Sequence, residues 1–327
     1  MMLETNPLKV LDLNDLDGSF RRFSMVWHPD RGGNATVFAK VSSWRDKIKA
    51  YKEDKTNEIP GVRFFKDKNG VESRMIFVKK MATDTGCMYL AKGVVAFSEN
   101  MTVSDVFNSA FPKFTFKDDK MRKGMEYFLP MKVETVEEKD TVSYVITKDK
   151  DLVPLQVLIE YLGGCQHILP AHAAWMTSRM LHIACYLGHV GIVHTGFNPI
   201  NLFVNPLTHG AALMGGWRLS RKVGETFKGV PAFTTRFAPR SVIETRRAAY
   251  SMDLTVIKAI SRMVFGDVNG RHLHEETPKA VRKWLNTPPA RTALEEYKLW
   301  EEALKGFGPR RFVEMNVKPA DIYAKMT

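Results

Sequence analysis

The sequence predicts an α+β protein in which a small, all-helical hairpin precedes a bilobal unit with a β-rich first lobe and an α-rich second lobe. Three observations support this fold class. In roughly the first fifty residues, apolar side chains recur at the spacing of amphipathic helices. Runs of β-branched and aromatic residues broken by turn signals follow, and from Pro170 onward helical patterns dominate.

The length of 327 residues exceeds the usual size of one compact core, so we expect more than one domain. A polar, charged stretch that ends in Pro60-Gly61 follows the helical beginning and is typical of a linker. The predicted division is a helical domain at residues 1–54, a linker at 55–61, a β-rich lobe at 62–160 and an α-rich lobe at 161–327.

The formal net charge is +12, which leaves nucleic acid or an acidic protein surface as candidate partners. Lys and Arg are scattered among Asp and Glu without an arginine-rich block, which argues against nucleic-acid binding. The sequence has neither a signal segment nor an apolar stretch of membrane-spanning length, so we expect a cytoplasmic protein without a membrane partner. The spacing of the cysteines and histidines predicts no metal site.

Two amphipathic helices are predicted in the helical domain. In the segment GSFRRFSMVW, Phe20, Phe23 and Trp27 recur at intervals of three and four residues, which places them on one helix face. The segment ATVFAKVSSWRDKIKAY repeats this spacing, and we expect the two apolar stripes to face each other in an antiparallel hairpin. The second stripe consists of Phe38, Val41, Trp44, Ile48 and Tyr51.

The connection between these helices is His28-Pro29-Asp30, followed by an arginine and two glycines. Proline stiffens the chain where the first helix must stop, and the glycines permit a tight reversal. We therefore expect the His and Asp side chains on an exposed loop. No folding requirement forces an exposed His and Asp at this place, which favours a functional interpretation.

Between its aromatic, basic helix and the amphipathic helix that follows, this turn resembles the J-domain of DnaJ-type co-chaperones over residues 5–54. In that family the His-Pro-Asp loop and the basic face of the preceding helix engage a DnaK-type ATPase and stimulate its hydrolysis of ATP. The resemblance implies this role for the loop residues 28–30 and makes Arg21 and Arg22 the basic face. The alternative is a helical hairpin that kept its turn without its partner.

Beyond the linker, the segment VESRMIFVKKMATDTGCMYLAKGVVAF predicts two antiparallel strands around a turn at residues 83–86. A helix is expected at residues 118–127, and KVETVEEKDTVSYVI alternates like a second hairpin. The segment AHAAWMTSRMLHIACYLGHVG then predicts a long helix. A β-rich lobe is therefore followed by a helical one.

Four landmarks from this helix onward resemble protein kinases in their order and spacing. RMLHIACYLGHVGIVHTGFNPINLFVN aligns without a gap with the stretch that contains the catalytic loop His-Arg-Asp-Leu-Lys-Pro-x-Asn, here residues 194–201. Residues 216–218 stand at the place of Asp-Phe-Gly, and residues 238–240 at the place of Ala-Pro-Glu. Asp253 matches the buried aspartate that braces the catalytic loop. The resemblance is clear over residues 155–265 and implies a kinase-like fold.

Phosphoryl transfer requires one carboxylate that orients the attacking hydroxyl and a second that holds magnesium against the phosphates. At these positions the sequence has Gly196 and Gly216, and Asn198 replaces the lysine of the loop. Arg218 adds a positive charge beside the second position, and only Asn201 survives among the metal ligands. The resemblance therefore implies a pseudokinase, which is a kinase fold reused for binding, without catalytic residues.

Active kinases also pair a lysine and a glutamate in the first lobe. The candidates for this cofactor-binding pair are Lys92 and Glu126, and the alternative, which we favour, is that both are ordinary solvated charges. The segment DTGCMYLAKG contains no Gly-x-Gly-x-x-Gly run that would cradle phosphates. We therefore expect no bound ATP or magnesium.

Together these patterns predict an adaptor, in which the kinase-like domain binds a client protein and the J-domain-like hairpin recruits a DnaK-type, ATP-driven chaperone. The first alternative is an active Ser/Thr protein kinase or nucleotide-binding enzyme that uses displaced acidic residues such as Glu225 or Glu244. The second is a basic nucleic-acid-binding protein, whose binding should weaken steeply with added salt.

Overall fold

The computed structural model describes residues 7–53, 59–67, 69–100, 111–138, 140–309 and 311–326. Helices come first, a β-rich region follows, and the second half is mainly helical. The predicted α+β class, with a β-rich lobe before a helical lobe, is therefore confirmed. In the described ranges, no helix combines the length and the apolar composition that are needed to cross a bilayer.

The first two helices pack as an antiparallel pair. Phe23, in the second half of the first helix, stacks on Phe38 near the start of the second, with ring centroids 6.2 Å apart. At the other end of the first helix, Asp17 pairs with Arg45 at 2.6 Å. The helices are α1 (Leu16–Trp27) and α2 (Ala35–Glu53), with 3-10 turns at Pro7–Lys9 and Pro29–Arg31.

The core of this helical pair includes residues that follow it in the sequence. Ile48 and Tyr51 of α2 are buried in one cluster with Ile59 and Val62. Ile59, which lies in the predicted linker, is only 1% exposed. Removing an isoleucine side chain from water is favourable, so this end of the linker packs against the helices instead of extending freely.

Two short strands, β1 (Val62–Lys66) and β2 (Glu72–Ile76), form an antiparallel hairpin next. Successive side chains of a strand point to opposite faces. Phe64 therefore stacks on Tyr51 of α2, whereas Phe65 packs into the core of the larger sheet.

The larger sheet belongs to the first lobe. Its strands are β3 (Lys79–Thr83), β4 (Gly86–Leu90), β5 (Val94–Asn100), β6 (Val133–Glu137) and β7 (Thr141–Thr147). All five are antiparallel to their neighbours and stand in the order β3-β4-β5-β7-β6. Thr83 faces Gly86 across the first hairpin, so the turn predicted at residues 83–86 is present. Helix α3 (Asp119–Met125) precedes β6 and lies within the predicted helix at 118–127.

The second lobe is built around one long, mostly buried helix. The helices of this lobe are α4 (Leu155–Leu162), α5 (Pro170–Val190), α6 (Ala232–Phe237), α7 (Arg240–Thr245), α8 (Tyr250–Val264), α9 (Lys279–Asn286), α10 (Ala293–Leu304) and α11 (Pro319–Met326). The central helix is α5, which packs against α8 and α10. The predicted lobe boundary between residues 160 and 161 falls inside α4, because the apolar pattern continues through Leu162.

Short strands frame the segments between α5 and α6. The strands β8 (Val153–Pro154), β10 (Leu202–Asn205) and β11 (Gly210–Leu213) form one sheet, and β9 (Ile192–Val193) pairs with β12 (Arg221–Lys222). Strand pairing therefore holds both ends of the loop at residues 194–201 and of the segment at residues 214–220. These two stretches contain the candidate catalytic positions.

Candidate functional site

The chain after α1 holds His28, Pro29 and Asp30 in one exposed turn. Nδ1 of His28 accepts a hydrogen bond from the backbone N–H of Asp30 at 3.3 Å. The imidazole meets the ring of Phe38 in α2 edge-to-face, with centroids 4.8 Å apart. The side chain of Asp30 is 86% exposed and that of His28 is 40% exposed, so a partner can reach both.

Local sequence sets the shape of this turn. Pro29 fixes the backbone where α1 ends, and the N–H of Gly33 donates to the backbone oxygen of His28 at 3.1 Å. A Cβ atom at residue 33 would lie 2.2 Å from the backbone oxygen of Trp27, so a larger residue requires the backbone to move. The sequence prediction of a tight reversal at the glycines agrees with this geometry.

The exposed side of α1 combines basic and apolar side chains. Arg21 and Arg22 are exposed, and Arg22 pairs with Asp15 at 3.1 Å while both side chains stay more than 50% exposed. Met25 and Val26 are 57% and 67% exposed. Because ion pairs this exposed contribute little to stability, a partner can compete for these arginines at small cost. Helix α1 thus carries the predicted basic residues and ends at the turn.

In the second lobe, Asp253 of α8 holds the loop at residues 194–201. Its carboxylate accepts hydrogen bonds from the backbone N–H of His194 at 2.6 Å and of Thr195 at 2.9 Å. Burial raises the pKa of Asp253 to about 7, whereas the two N–H donors favour the carboxylate and lower that pKa. The bracing contact suggested by the sequence is therefore present.

Thr195 has a left-handed backbone with φ 58°, which is uncommon for a β-branched residue. Besides the bond from its N–H to Asp253, two further hydrogen bonds keep Thr195 in this conformation. Its hydroxyl donates to the backbone oxygen of Leu219 at 2.8 Å, and the hydroxyl of Thr234 donates to its backbone oxygen at 2.6 Å. These bonds join the loop to the segment at residues 214–220 and to α6.

His194 is fully buried inside this arrangement. Its ring meets those of Phe197 and Trp217 edge-to-face, with centroids 5.2 Å and 4.6 Å away. Burial lowers the pKa of His194 to about 3, so the imidazole is neutral at physiological pH. Its Nδ1 accepts the N–H of Gly196 at 3.2 Å. This histidine supports the loop and is not presented to solvent.

The predicted degenerate positions meet at one point. Nδ2 of Asn201 donates to the backbone oxygen of Gly196 at 2.8 Å, and Oδ1 of Asn198 accepts the N–H of Ile200 and of Asn201 at 3.0 and 2.8 Å. Both amides therefore stabilise the loop backbone. A Cβ atom at Gly216, where φ is 78°, would lie 2.7 Å from Nδ2 of Asn201. The position that would carry a metal-binding carboxylate thus favours glycine on steric and conformational grounds.

Arg218 forms a buried ion pair with Glu99 at the end of β5. Nη1 and Oε2 are 3.4 Å apart, and the side chains are 5% and 4% exposed. Burial raises the pKa of Glu99 to about 7, and the guanidinium of Arg218 partly opposes this. The guanidinium that the sequence suggested beside Gly216 is therefore engaged with Glu99. Sequence reasoning missed Glu99, whose only signal is a carboxylate near the end of the strand VVAFSEN, after its apolar start.

The first lobe has no lysine on the strand where the kinase resemblance predicts one. Protein kinases carry this lysine on the third strand of their sheet, and the third strand here, β5, has none. Ser98 of β5 instead hydrogen-bonds to Ser143 of β7 at 2.7 Å. Lys92 lies in the turn before β5, Glu126 ends α3, and both are exposed. The structure does not bring these two candidates to the loop at residues 194–201.

The side chain of Lys148 stabilises the segment that joins β7 to β8. Nζ of Lys148 donates to the backbone oxygens of Lys92 and Leu152 and to Oη of Tyr323 in α11, each at 2.8 Å. Tyr323 in turn donates to the backbone oxygen of Leu152 at 2.7 Å. Burial lowers the pKa of Lys148 to about 7, although nearby aspartates raise it. These bonds fasten α11 to the connection between the lobes.

The remaining candidate acids lie at the surface. Glu126 borders a cavity of about 440 Å³ that Lys148 also lines. Glu225 is exposed, and Glu244 pairs with Arg240 at 2.7 Å on α7. Within the part of the chain that the structure describes, no group of three or more His, Cys, Asp or Glu side chains is arranged to hold a metal ion.

Comparisons with known proteins show a weak likeness to a kinase domain. No protein-family model and no curated protein matches the chain. Among solved structures, it is similar to the kinase domain of a Toxoplasma gondii rhoptry antigen, with 14% sequence identity and a TM-score of 0.46. The match covers 80% of this chain and 90% of that one. A similarity this low does not assign a functional role to any residue of this chain.

Proposed function

We propose that this chain is a non-catalytic adaptor, in which the helical hairpin is a J-domain that stimulates a DnaK-type ATPase and the kinase-like domain binds a client protein. The observation that carries the proposal is the exposed turn at His28, Pro29 and Asp30. The carboxylate of Asp30 is 86% exposed, and the turn directly follows the basic helix α1.

The geometry of the turn supports recognition by a partner. The hydrogen bond from Asp30 N–H to His28 and the contact of His28 with Phe38 fix the imidazole. A side chain that is already ordered loses less conformational entropy when it binds. The Asp30 side chain is 86% exposed and contributes no apolar packing, so its placement favours a function outside the hairpin.

The absence of phosphoryl-transfer chemistry is the second part of the proposal. Positions 196 and 216 carry glycine, so neither a carboxylate for the attacking hydroxyl nor one for magnesium is present at these places. Arg218, next to the second position in sequence, pairs with Glu99, and β5 supplies no lysine for the phosphates. The residues that remain at this point, Asn198 and Asn201, serve the backbone of the loop.

The connection between the lobes supports the expectation of no bound ATP. Backbone oxygens at Asp149 and Leu152 accept hydrogen bonds from Lys148, and Tyr323 adds a second to Leu152. These polar groups are satisfied within the protein, so a ligand gains little by replacing the bonds. We therefore propose that the loop at residues 194–201 and the connection between the lobes have a structural role, and that the client binds elsewhere on the kinase-like domain.

The test is the steady-state ATPase rate of a purified DnaK-type chaperone with increasing amounts of the full chain. We expect stimulation by the wild-type chain and none by Asp30→Asn. The matched control is Asp46→Asn, which changes an exposed aspartate of α2 outside the turn and should stimulate normally. A wild-type chain without any effect on the ATPase would rule out the co-chaperone function.

A further inference from the structure

The hairpin of β1 and β2 lies between the helical pair and the larger sheet and contacts both. On one face, Phe64 stacks on Tyr51 of α2 with ring centroids 4.4 Å apart, and the Tyr51 hydroxyl donates to Glu72 of β2 at 3.2 Å. On the other face, Phe65 and Met75 are buried against the larger sheet. Close packing on both faces leaves the hairpin little freedom to move relative to either neighbour.

A buried ion pair adds a further connection. Arg63 of β1 pairs with Glu138, which directly follows β6 in the larger sheet. The two side chains are 25% and 15% exposed, so solvent screens this pair less than it screens a pair on the open surface. The backbone of β2 is therefore held between the helical pair and the larger sheet.

One side chain of β2, Arg74, borders a cavity of about 450 Å³ beside α1. Polar atoms make up most of the cavity surface, Leu8, Phe23 and Trp27 add apolar parts, and the cavity reaches the exposed Val26. Its rim is mainly basic. The charged residues that line it are Lys9, Asp12, Arg22 and Arg74.

Arg74 differs from the other arginine at this rim. Arg22 already pairs with Asp15 at 3.1 Å. Arg74 is exposed, and no carboxylate among the described residues pairs with it. A guanidinium without an acidic partner at the edge of a mainly polar cavity with a basic rim fits an acidic surface.

We propose that Arg74 and this cavity belong to the chaperone-docking surface that starts at the turn of His28, so the ATPase contacts α1 and β2 together. The inference rests on the proposed co-chaperone function. The partner side is an acidic surface that covers the cavity beside Val26. Because the hairpin packs on the larger sheet, the docked chaperone then has a defined orientation relative to the kinase-like domain.

The experiment measures chaperone ATPase stimulation against chain concentration for the wild type, Arg74→Glu and Arg74→Lys at low and moderate salt. Reversal of one charge at a complementary rim should raise the half-maximal concentration about fivefold at low salt, and the difference should shrink as salt is added. Arg74→Lys should stay near the wild type. Arg271→Glu, which reverses an exposed arginine of the second lobe, is the matched control and should have no effect.

The outcomes separate this inference from the proposed function. If Asp30→Asn abolishes stimulation and Arg74→Glu behaves like the wild type, the co-chaperone function stands and the β2 contact is wrong. If the wild-type chain gives no stimulation, the proposed function fails and the inference fails with it. Melting temperatures check folding, and Arg74→Glu should keep that of the wild type, because the side chain is exposed and makes no ion pair among the described residues.

Discussion

The turn after α1 and the loop at residues 194–201 share one local hydrogen bond and differ in everything around it. In the turn, Nδ1 of His28 accepts the N–H of Asp30 at 3.3 Å; in the loop, Nδ1 of His194 accepts the N–H of Gly196 at 3.2 Å. The first histidine side chain is 40% exposed, whereas His194 is 0% exposed. The same two-residue geometry therefore serves a surface in one place and a core in the other.

The residue that donates its N–H to each histidine extends the contrast. Asp30 directs a carboxylate into solvent, whereas Gly196 has no side chain and gives its backbone oxygen to Asn201. Burial lowers the pKa of His194 to about 3, which fixes it as a neutral support. The comparison teaches that a preserved backbone motif says little about activity until the exposure of its side chains is known.

The largest expected effect comes from the support of the buried loop. Asp253→Ala leaves the backbone N–H groups of His194 and Thr195 buried without their acceptor. We expect a loss of about 2–5 kcal/mol in the free energy of unfolding, measured by chemical denaturation. The exposed Asp30→Asn should change stability by no more than about 0.5 kcal/mol. Similar losses for both variants would contradict the contrast between the two sites.

The pH dependence of stability tests the buried pair of Glu99 and Arg218. Burial raises the folded-state pKa of Glu99 from 4.5 to about 7, so between these values the folded state holds a proton that the unfolded state has released. The contribution of Glu99 to stability is therefore present below pH 4.5 and is lost as the pH rises to about 7.

Glu99→Gln removes this titration, and its stability relative to the wild type should rise by up to about 1.4 kcal/mol per pH unit across that window. Buried histidines titrate nearby with the opposite sign, so the measured quantity is the difference between the two proteins in denaturation curves at several pH values. A difference that stays constant from pH 4.5 to 7 would show that Glu99 does not titrate there.

A smaller effect is expected at the connection between the lobes. Tyr323→Phe removes a hydroxyl that accepts from Lys148 and donates to the backbone oxygen of Leu152. We expect a loss of about 1–2 kcal/mol in the free energy of unfolding. The control is Tyr127→Phe, because Tyr127 is 74% exposed and should tolerate the change. Equal stability of both variants would mean that α11 does not fasten the connection.

The smallest expected effect is that of nucleotide. Millimolar ATP with magnesium should leave the melting temperature of the wild-type chain unchanged within about 1 °C, because only a ligand of the folded state raises it. An active protein kinase measured in parallel provides the positive control. A clear, magnesium-dependent rise would move the account toward the alternative of a nucleotide-binding enzyme.

Local sequence was sufficient for the features that depend on neighbours in the chain. The reversal at Gly33 is encoded by the residues next to it, and the loop at residues 194–201 could be aligned as one contiguous motif. The helical pair and the hairpins of the larger sheet follow from spacing of three to four residues or from alternation. Short-range patterns report such elements well.

Contacts between distant residues could not be predicted in this way. Glu99 and Arg218 are 119 residues apart, and Lys148 and Tyr323 are 175 apart. The sequence periodicity around these four residues does not indicate which residue pairs with which. The burial of Ile59 likewise depends on packing between elements, which composition along the chain does not reveal.

The most direct test of the central claim is phosphate release from ATP, measured for the chain alone, the DnaK-type chaperone alone and the two together. The account predicts no release by the chain alone, stimulated release by the mixture, and loss of that stimulation with Asp30→Asn. Hydrolysis by the chain alone would contradict the inactive loop at residues 194–201. Undiminished stimulation by Asp30→Asn would contradict the role of the exposed turn.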